Sequence, residues 1–284
     1  MFLIIQEFDL PAINHYCIIL EIHTVMKRTA LITGASSGVG LEFAHIFASK
    51  GANLVLVDHS REKLGEFKLK MEKQYGVIVY NIDKDLSMPN AAKEVYNELR
   101  HKKVHIDFLI NNAGFGDFGL FVDTNWDKQL QMINSNIISL TYLIRLFLPE
   151  MIEEKYGRIL NVASMASFQP GPTMSVYFAI KAYVLSFSEA IANELKGTGV
   201  TVTVLCPGAT QSGFKDAAAL EESKLFKGGR IVTPKEFAMF GYRKMMKGTT
   251  VVVPGFVNKI MSRLVHFAPR DVVTSIAKKK LKSK

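Results

Sequence analysis

Short apolar runs alternate with longer segments of helical spacing along most of this 284-residue chain. Strands that are apolar throughout are typical of a parallel sheet with helices on both faces. We therefore predict an α/β protein with a doubly wound parallel sheet in a three-layer α/β/α arrangement. The predicted strands are Thr29–Thr33, Asn53–Val57, Val77–Asn81, Asp107–Ile110, Arg158–Val162, Val200–Leu205 and Thr250–Val253. The predicted helices are Leu41–Lys50, Arg61–Gln74, Asn90–His101, Asn125–Glu153, Met174–Lys196 and 234–246.

No linker, repeat or low-complexity block interrupts this alternation, so we expect one domain over residues 26–254. Residues 1–25 are apolar but interrupted by charged residues and a proline, which argues against a signal peptide. Because Met26 leads directly into the first strand, we interpret residues 1–25 as an extension upstream of a plausible true start. The two cysteines, Cys17 and Cys206, offer neither a disulfide framework nor a metal-ligand cluster. This suits a reducing compartment, and we expect a cytoplasmic protein.

The net charge of +9 is concentrated at the C-terminus. From Gly255 onward the chain has eight lysines and arginines against one acid, Asp271, so this tail carries +7. The remainder is near neutral and shows no basic face, so we exclude a nucleic-acid partner. Apolar residues recur at helical spacing over 256–268, which predicts a basic amphipathic helix within 255–284. Two interpretations stay open: packing on the domain or a second subunit, or peripheral contact with a membrane or cover for a lipid-like substrate.

A glycine-rich loop separates the first predicted strand from the first helix. Its glycines allow a tight turn and close approach of a ligand, and the helix N-terminus beyond offers unpaired N–H groups to an anion. The spacing Gly-x3-Gly-x-Gly in this context predicts a dinucleotide phosphate site. Its candidate residues are Gly34, Ser36, Ser37, Gly38, Val39 and Gly40.

Two acids follow the next strands. Asp58 ends the second strand, where a carboxylate accepts hydrogen bonds from the adenine ribose and repels a 2′-phosphate. Neither Ser36 nor His59 supplies a permanent cation for that phosphate, so NAD(H) is favoured, although Arg61 leaves NADP(H) possible. Asp85 is a candidate for the adenine edge or for a simple turn.

Two further turns are predicted at the carboxyl ends of strands. Asn112, Ala113 and Gly114 close the fourth strand, where the amide braces neighbouring loops and the glycine lets a cofactor pass. Pro207 and Gly208 follow the sixth strand, with Thr210 as a candidate pyrophosphate contact. Ligands bind at this edge of such sheets. The segment 211–230 is a candidate substrate lid, and it favours an apolar or amphipathic substrate because it contains Phe214, Leu220, Leu225 and Phe226.

Tyr177 and Lys181 are four residues apart in a predicted helix, so their side chains share one face. A nearby cation favours the phenolate form of tyrosine, which would allow proton exchange with a substrate oxygen. A second pair, Tyr80 and Lys84, lies where a strand runs into a loop and has no matching surroundings, so we interpret it as coincidental.

Taken together, these residues resemble the single-domain type of the short-chain dehydrogenase/reductase family. The resemblance runs from about Lys27 to Val253, and within it Gly157–Phe187 is similar to bacterial ketoacyl and steroid-type reductases. It implies a Rossmann-type seven-stranded parallel sheet, a nicotinamide cofactor and a homodimer or homotetramer. The resemblance rests on Thr33–Gly40, Asp58, Asn111–Gly114, Asn136, Ser164, Tyr177, Lys181, Pro207 and Gly208.

The resemblance also implies roles for four residues. Tyr177 matches the general acid/base, and Lys181 matches the residue that lowers the tyrosine pKa and holds the nicotinamide ribose. Ser164 matches the serine that hydrogen-bonds the substrate oxygen. Asn136 matches the asparagine of a proton relay, with Asn134 ranked below it.

We therefore predict an oxidoreductase that interconverts an alcohol and a ketone or aldehyde, with a small apolar or amphipathic substrate. Hydride chemistry belongs to the nicotinamide, while the protein supplies position and a proton. Two alternatives stay open: an NADP(H)-dependent carbonyl or ketoacyl reductase with the same site, and a dinucleotide-binding regulatory protein without turnover.

Overall fold

The computed structural model describes residues 27–208, 232–265 and 267–281. Seven parallel strands form one sheet in the order β3-β2-β1-β4-β5-β6-β7, which confirms the predicted fold class. The extension 1–25, Met26, Thr210 and the predicted lid 211–230 lie outside the described residues. The strands are β1 Thr29–Thr33, β2 Asn53–Asp58, β3 Val79–Asp83, β4 Phe108–Asn111, β5 Gly157–Val162, β6 Val200–Leu205 and β7 Val251–Val252.

Nine helices connect and follow the strands in the described part of the chain. They are α1 Gly38–Ser49, α2 Arg61–Tyr75, α3 Ala91–His101, α4 Trp126–Ile133, α5 Leu140–Glu153, α6 Ser175–Glu194, α7 Pro234–Met246, α8 Phe256–Leu264 and α9 Arg270–Leu281. A π-helical turn, Asn134–Ser139, joins α4 to α5, and short 3₁₀ turns occupy Phe121–Asp123 and Met165–Phe168.

Two apolar layers bury the sheet. Successive residues of a strand point to opposite faces, so Leu31 packs with α3, α5 and α6, while Ala30 and Ile32 pack with α1, α2 and α7. Phe43 and Phe237 are among the largest fully buried side chains of the second layer. Both faces of the sheet are thus covered, as near-continuous apolar strands require.

The winding direction of the sheet reverses between β1 and β4. These strands are hydrogen-bonded neighbours, with Leu31 opposite Leu109, although two other strands separate them in sequence. The loops that leave their carboxyl ends therefore diverge and open a crevice, which is where ligands bind in this architecture.

The third strand begins two residues later than predicted. The Ile78 N–H donates to the side-chain oxygen of Asn53 at 3.0 Å, and the paired register begins with Val79 opposite Leu54. The apolar pattern alone did not show that the Ile78 N–H binds a side chain.

The basic tail forms two helices, α8 and α9, where one was predicted. Pro269 separates them, because proline lacks an N–H and disfavours helical backbone in the residue before it. Only α9 packs its apolar positions inward, through Val273, Ala277 and Leu281.

Among the described helices, α6 alone is long and apolar enough to span a bilayer. Its Ile180, Val184 and Ser188 side chains are buried against the sheet and its neighbours. We assign α6 as a core helix, because a buried helix of this length passes the same test.

Candidate active site

The glycine loop after β1 is built by close backbone contacts. Gly34 has a positive φ of 64°, and a Cβ there would lie 2.9 Å from the Cα of Ala113. A Cβ at Gly40, in the first turn of α1, would lie 2.0 Å from the Gly34 carbonyl oxygen. Since no other residue fits at these positions, α1 begins directly against the turn and its first N–H groups face the crevice.

Asn112 ties the loop after β4 to the loop after β1. Its Nδ2 donates to the carbonyl oxygens of Thr33 at 3.0 Å and Gly34 at 3.1 Å. The Thr33 hydroxyl in turn accepts from the backbone N–H groups of Asn112 and Ala113 at 3.0 and 2.9 Å. These contacts fix both loops at the winding reversal, which is the bracing expected of this amide.

Asp58 is buried at the end of β2 and oriented by the backbone. Its carboxylate accepts the Ser36 N–H at 3.0 Å and the Ser60 N–H at 3.2 Å. The His59 ring nitrogen lies 3.5 Å from the same carboxylate. Asp58 thus holds the glycine loop and lines the crevice at the same time.

Asp85 follows β3 and is exposed at the same end of the crevice. Its Oδ1 accepts the Ser87 N–H at 2.8 Å, so it stabilises the turn that leads to α3. The turn role considered from the sequence is thus present, while contact with an adenine edge stays a prediction.

Tyr177 and Ser164 meet at the other end of the crevice. Ser164 follows β5 and caps the short 3₁₀ turn by accepting the Ala166 N–H at 3.1 Å. Tyr177 projects from the first turn of α6, is 8% exposed, and makes a hydrogen bond with the Ser164 side chain. Two hydroxyl groups therefore converge on one point of the crevice.

Lys181 lies one turn further along α6 and is also buried. Its Nζ donates to Asn136 Oδ1 and to the Val162 carbonyl oxygen, each at 3.0 Å. The same Nζ lies 5.7 Å from the centre of the Tyr177 ring. Lys181 and Tyr177 thus share a face of α6, as the spacing predicts.

Asn136 lies within the π-helical turn and is 1% exposed. Its Nδ2 donates to the Met132 carbonyl oxygen at 2.9 Å, which directs Oδ1 toward Lys181. Asn134, ranked second from the sequence, instead donates to the Ser87 carbonyl oxygen at 3.0 Å. Asn136 is therefore the asparagine in contact with the candidate lysine, and π-turns of this kind are frequent at functional sites.

Burial governs the titration of both side chains. It raises the pKa of Tyr177 to about 12, although the Ser164 hydrogen bond acts in the opposite direction. It also lowers the pKa of Lys181 to about 8. Desolvation of the phenol thus outweighs the effects that would lower its pKa, and the Lys181 Nζ is directed at Asn136 and Val162. The lowering of the Tyr177 pKa by Lys181 stays a prediction.

A cavity of about 630 Å³ joins the two ends of the crevice. It runs along the carboxyl edge of the sheet, from Asp58 past Gly114 to Tyr177 and Lys181. A Cβ at Gly114 would lie 2.3 Å from Asn136 Oδ1, so the absence of a side chain keeps this passage open. The described candidates Ser36, Ser37, Gly38, Val39, Asp85, Asn112, Ala113, Pro207 and Gly208 also line it.

This cavity fits a dinucleotide. Gly34 and Gly40 allow the tight turn, the α1 N-terminus beside Gly38 offers N–H groups to a diphosphate, and the carboxylates of Asp58 and Asp85 line the same end of the cavity. No cluster of three or more His, Cys, Asp or Glu suited to a metal occurs within residues 27–208, 232–265 and 267–281.

The sequence analysis missed the apolar side chains around Tyr177. Phe115, Met165, Met174 and Phe178 line the cavity beside the hydroxyl pair. Met165 and Met174 are close in sequence to Ser164 and Tyr177, and that proximity was the available signal. The expected apolar contacts were placed only on residues 211–230, which are not described.

The second tyrosine–lysine pair does not form a site. Lys84 makes an ion pair with Glu94 at 2.7 Å, and Tyr80 packs against the apolar layer of α3 and α5. Lys84 also lines the cavity next to Asp85, whereas Tyr80 does not, so the two side chains do not act as a pair.

The fold and the cavity define a dinucleotide-binding α/β protein. The chain belongs to the short chain dehydrogenase family, whose sequence description matches residues 28–223. It is therefore an oxidoreductase that acts on CH–OH groups and uses a nicotinamide dinucleotide. The alternative of a binding protein without turnover is accordingly set aside.

Three similar proteins illustrate the family. A ketoacyl reductase, HetN, from Nostoc sp. is 32% identical over 231 residues, which is 81% of this chain and 79% of that protein. A 7beta-hydroxysteroid dehydrogenase from Collinsella aerofaciens is 33% identical over 63% of this chain and 68% of its own length. The structure of a short-chain dehydrogenase from Sphingobium yanoikuyae in complex with NADPH is 28% identical, has a TM-score of 0.75, and covers 85% of this chain and 96% of that one.

Proposed function

We propose that this protein interconverts an alcohol and a ketone or aldehyde, with Tyr177 as the general acid/base and NAD(H) as the favoured cofactor. The observation that carries the proposal is the hydrogen-bonded pair of Ser164 and Tyr177, buried in a dinucleotide-sized cavity with Lys181 and Asn136 behind it.

In the proposed reduction, the Ser164 and Tyr177 hydroxyls donate hydrogen bonds to the substrate carbonyl oxygen. When bound, the nicotinamide supplies the hydride to the carbonyl carbon, or accepts it in the reverse direction. Negative charge grows on the oxygen, and donors already aimed at that point stabilise it without reorganisation. Tyr177 then gives its proton to the oxygen, which is consistent with a phenol that stays protonated at neutral pH.

Lys181 and Asn136 act behind the tyrosine in this proposal. The ammonium group, 5.7 Å from the Tyr177 ring centre, stabilises the phenolate that remains after proton transfer. Asn136 orients Lys181 by accepting its 3.0 Å hydrogen bond, which is the part we propose for it in the proton relay. Lys181 also holds the nicotinamide ribose, and Pro207, Gly208 and Thr210 complete the cofactor site.

The proposed substrate is a small apolar or amphipathic carbonyl compound or alcohol. Support comes from Phe115, Met165, Met174 and Phe178, which surround the hydroxyl pair with apolar surface. Relatives named as a ketoacyl reductase and a 7beta-hydroxysteroid dehydrogenase are consistent with a carbonyl compound or alcohol as substrate.

The proposed preference for NAD(H) depends on Asp58. Its buried carboxylate is held by Ser36 and Ser60 and lies where a ribose hydroxyl donates and a 2′-phosphate is repelled. One observation favours the alternative, a preference for NADP(H): the structure of the Sphingobium relative was solved in complex with NADPH.

A fluorescence titration of NADH and NADPH tests this preference. We expect wild type to bind NADH at least about tenfold more tightly, and Asp58→Ser to lose that difference because the repulsion of the phosphate is removed. Asp83→Ser is the matched control, because Asp83 lies opposite Asp58 on β3 but does not line the cavity. Tighter binding of NADPH by wild type would overturn the preference.

A panel of ketones and aldehydes, assayed with the preferred cofactor, tests the substrate class. We expect higher kcat/KM for apolar ketones and aldehydes than for polar ones of similar size, because apolar surface surrounds the hydroxyl pair. A preference for small, charged carbonyl compounds would contradict the apolar assignment while leaving the oxidoreductase class intact.

We also propose a homodimer or homotetramer in the cytoplasm. Support for assembly comes from the family, and from Ile138 in the π-helical turn and Tyr183 on α6, which are 56% and 36% exposed. Light scattering coupled to size exclusion would measure the mass, and a monomer at micromolar concentration would contradict the proposal.

A further inference from the structure

The helix α8 presents its apolar side away from the domain. Phe256, Val257 and Leu264 are 78%, 71% and 55% exposed, and Ile260 and Met261 are 40% and 41% exposed. The polar Ser262 is the buried residue of this helix, at 6%. In a helix that packs on its own domain, the apolar stripe faces inward, so α8 is inverted relative to that pattern.

The inner side of α8 rests on the rim of the cofactor cavity. Asn258 donates to the Pro254 carbonyl oxygen at 3.0 Å, and a Cβ at Gly208 would lie 2.8 Å from its Nδ2. Ser262 donates to the Lys259 carbonyl oxygen at 3.0 Å. The domain therefore uses the polar side of α8, and the apolar side is left outward next to the mouth of the site.

Basic residues flank the apolar side. At about 100° per residue, the apolar side chains occupy an arc of roughly 140°, and Lys259 and Arg263 lie together at one border of it. Both basic side chains are exposed. On the neighbouring helix α9, Val272 and Ile276 are each 50% exposed, close in sequence to the exposed Lys278 and Lys279.

The positive charge around the apolar side of α8 indicates which binding partner this surface fits. A second copy docked through the same face would bring together two tails of +7, which repel each other. The segment 209–231 carries four basic and three acidic residues, so it offers no excess of acid. An anionic bilayer offers both an apolar interior for the stripe and negative headgroups for its basic border.

We propose that α8, supported by the exposed Lys278 and Lys279 of α9, docks this protein on an anionic lipid surface. The apolar stripe enters the headgroup region, and Lys259 and Arg263 pair with anionic headgroups. The docking places the rim of the cofactor cavity at the bilayer. This inference concerns binding and does not depend on the proposed reaction, so both can be tested separately.

Flotation of the full chain with vesicles tests the proposal. We expect wild type to float with phosphatidylglycerol–phosphatidylcholine vesicles at low salt and to be released at high salt. Lys259→Gln/Arg263→Gln should weaken binding by about fivefold per charge removed. Phe256→Ser/Val257→Ser/Leu264→Ser should abolish binding, because the apolar anchor is lost.

Matched controls lie on α2, on the far side of the sheet from α6. Leu69→Ser removes an apolar side chain that is 70% exposed, and Lys63→Gln/Lys73→Gln removes two exposed charges. These variants should float like wild type. Absence of wild-type flotation, equal flotation on pure phosphatidylcholine, or equal loss in the α2 variants would each overturn the proposal. A fall in oligomer mass of the α8 apolar variant, without vesicle binding by wild type, would assign the surface to a second copy instead.

Discussion

Tyr177 and Lys181 are one helical turn apart, and burial shifts their pKa values in opposite directions. It raises the pKa of Tyr177 and lowers the pKa of Lys181. The phenol keeps its proton well above neutral pH, while the ammonium group loses its proton near pH 8. The Ser164 hydroxyl makes a hydrogen bond with the phenol. These shifts agree with the proposed role of Tyr177 as a proton donor at neutral pH, next to a cation that is present below about pH 8.

The titration of Lys181 predicts an alkaline limit for reduction. The group is charged below its pKa of about 8 and neutral above it, so stabilisation of the phenolate is lost as pH rises. We expect kcat/KM for the reduced cofactor to be constant below this pH and to fall by about tenfold per pH unit above it. A pH–rate profile of initial reduction velocities measures this.

Lys181→Met is the control for that profile. It removes the titrating group and should give low activity with no inflection near pH 8. An unchanged inflection in Lys181→Met would show that another group is responsible.

Residue identities at the site were accessible from the sequence because each is tied to a motif with fixed spacing. The pKa direction of Tyr177 was not, since it depends on how deeply the phenol is buried. The side chains that surround it also come from separate segments, such as Phe115 and Met174, which only the fold brings together.

At the scale of elements, the π-helical turn between α4 and α5 is the feature that positions Asn136. The sequence predicts one continuous helix over 125–153, and the structure has a helical path over most of this range with a wider turn in it. Apolar periodicity over a few residues does not distinguish a wider turn from a regular one. The poor helix propensity of asparagine was the only local signal.

Gly114 tests the contact that this turn makes. A Cβ there would lie 2.3 Å from Asn136 Oδ1, which cannot yield without losing its hydrogen bond to Lys181. We expect Gly114→Ala to lower kcat by at least about tenfold and the free energy of unfolding by about 1–3 kcal/mol. Steady-state kinetics and urea unfolding would measure the two effects.

Gly65→Ala is the matched control, because a Cβ in the middle of α2 meets nothing within 4 Å. It should leave kcat unchanged and raise stability by up to about 1 kcal/mol through better helix propensity. Equal kinetics for Gly114→Ala and Gly65→Ala would refute the role assigned to the Gly114–Asn136 contact.

At the scale of the whole molecule, the winding reversal between β1 and β4 brings the cofactor loop, the asparagine turn and α6 to one edge of the sheet. The positions of the strands along the chain and their parallel arrangement were predictable because most strands are continuous apolar runs. The structure of the C-terminal tail was not predictable, because Pro269 divides the tail into two helices and the apolar side of α8 faces outward. Which side of an amphipathic helix packs inward is decided by tertiary contacts.

The second helix of the tail, α9, packs against α6, the helix that carries Tyr177. Leu281 is 1% exposed and belongs to a cluster with Met132, Tyr177 and Phe178. We expect Leu281→Ala to lower the free energy of unfolding by about 2 kcal/mol or more, since it leaves a cavity beside α6. Urea unfolding measures this, with activity as a second readout.

Ile276→Ala is the control on the same helix, because its side chain is 50% exposed. It should change stability by less than about 0.5 kcal/mol. A Leu281→Ala variant as stable as Ile276→Ala would show that α9 does not pack against this cluster in solution.

The central claim is that Tyr177 transfers the proton, and Tyr177→Phe tests it most directly. The variant removes one hydroxyl group and keeps the ring, so the fold and the dinucleotide cavity should persist. Tyr80→Phe, in the coincidental Tyr80–Lys84 pair, is the matched control.

The decisive measurement is kcat/KM for carbonyl reduction by wild type, Tyr177→Phe and Tyr80→Phe, with NADH affinity measured in parallel. We predict a loss of at least about 100-fold in Tyr177→Phe, with NADH affinity within about twofold of wild type, and no loss in Tyr80→Phe. Reduction by Tyr177→Phe at the wild-type rate would contradict the account.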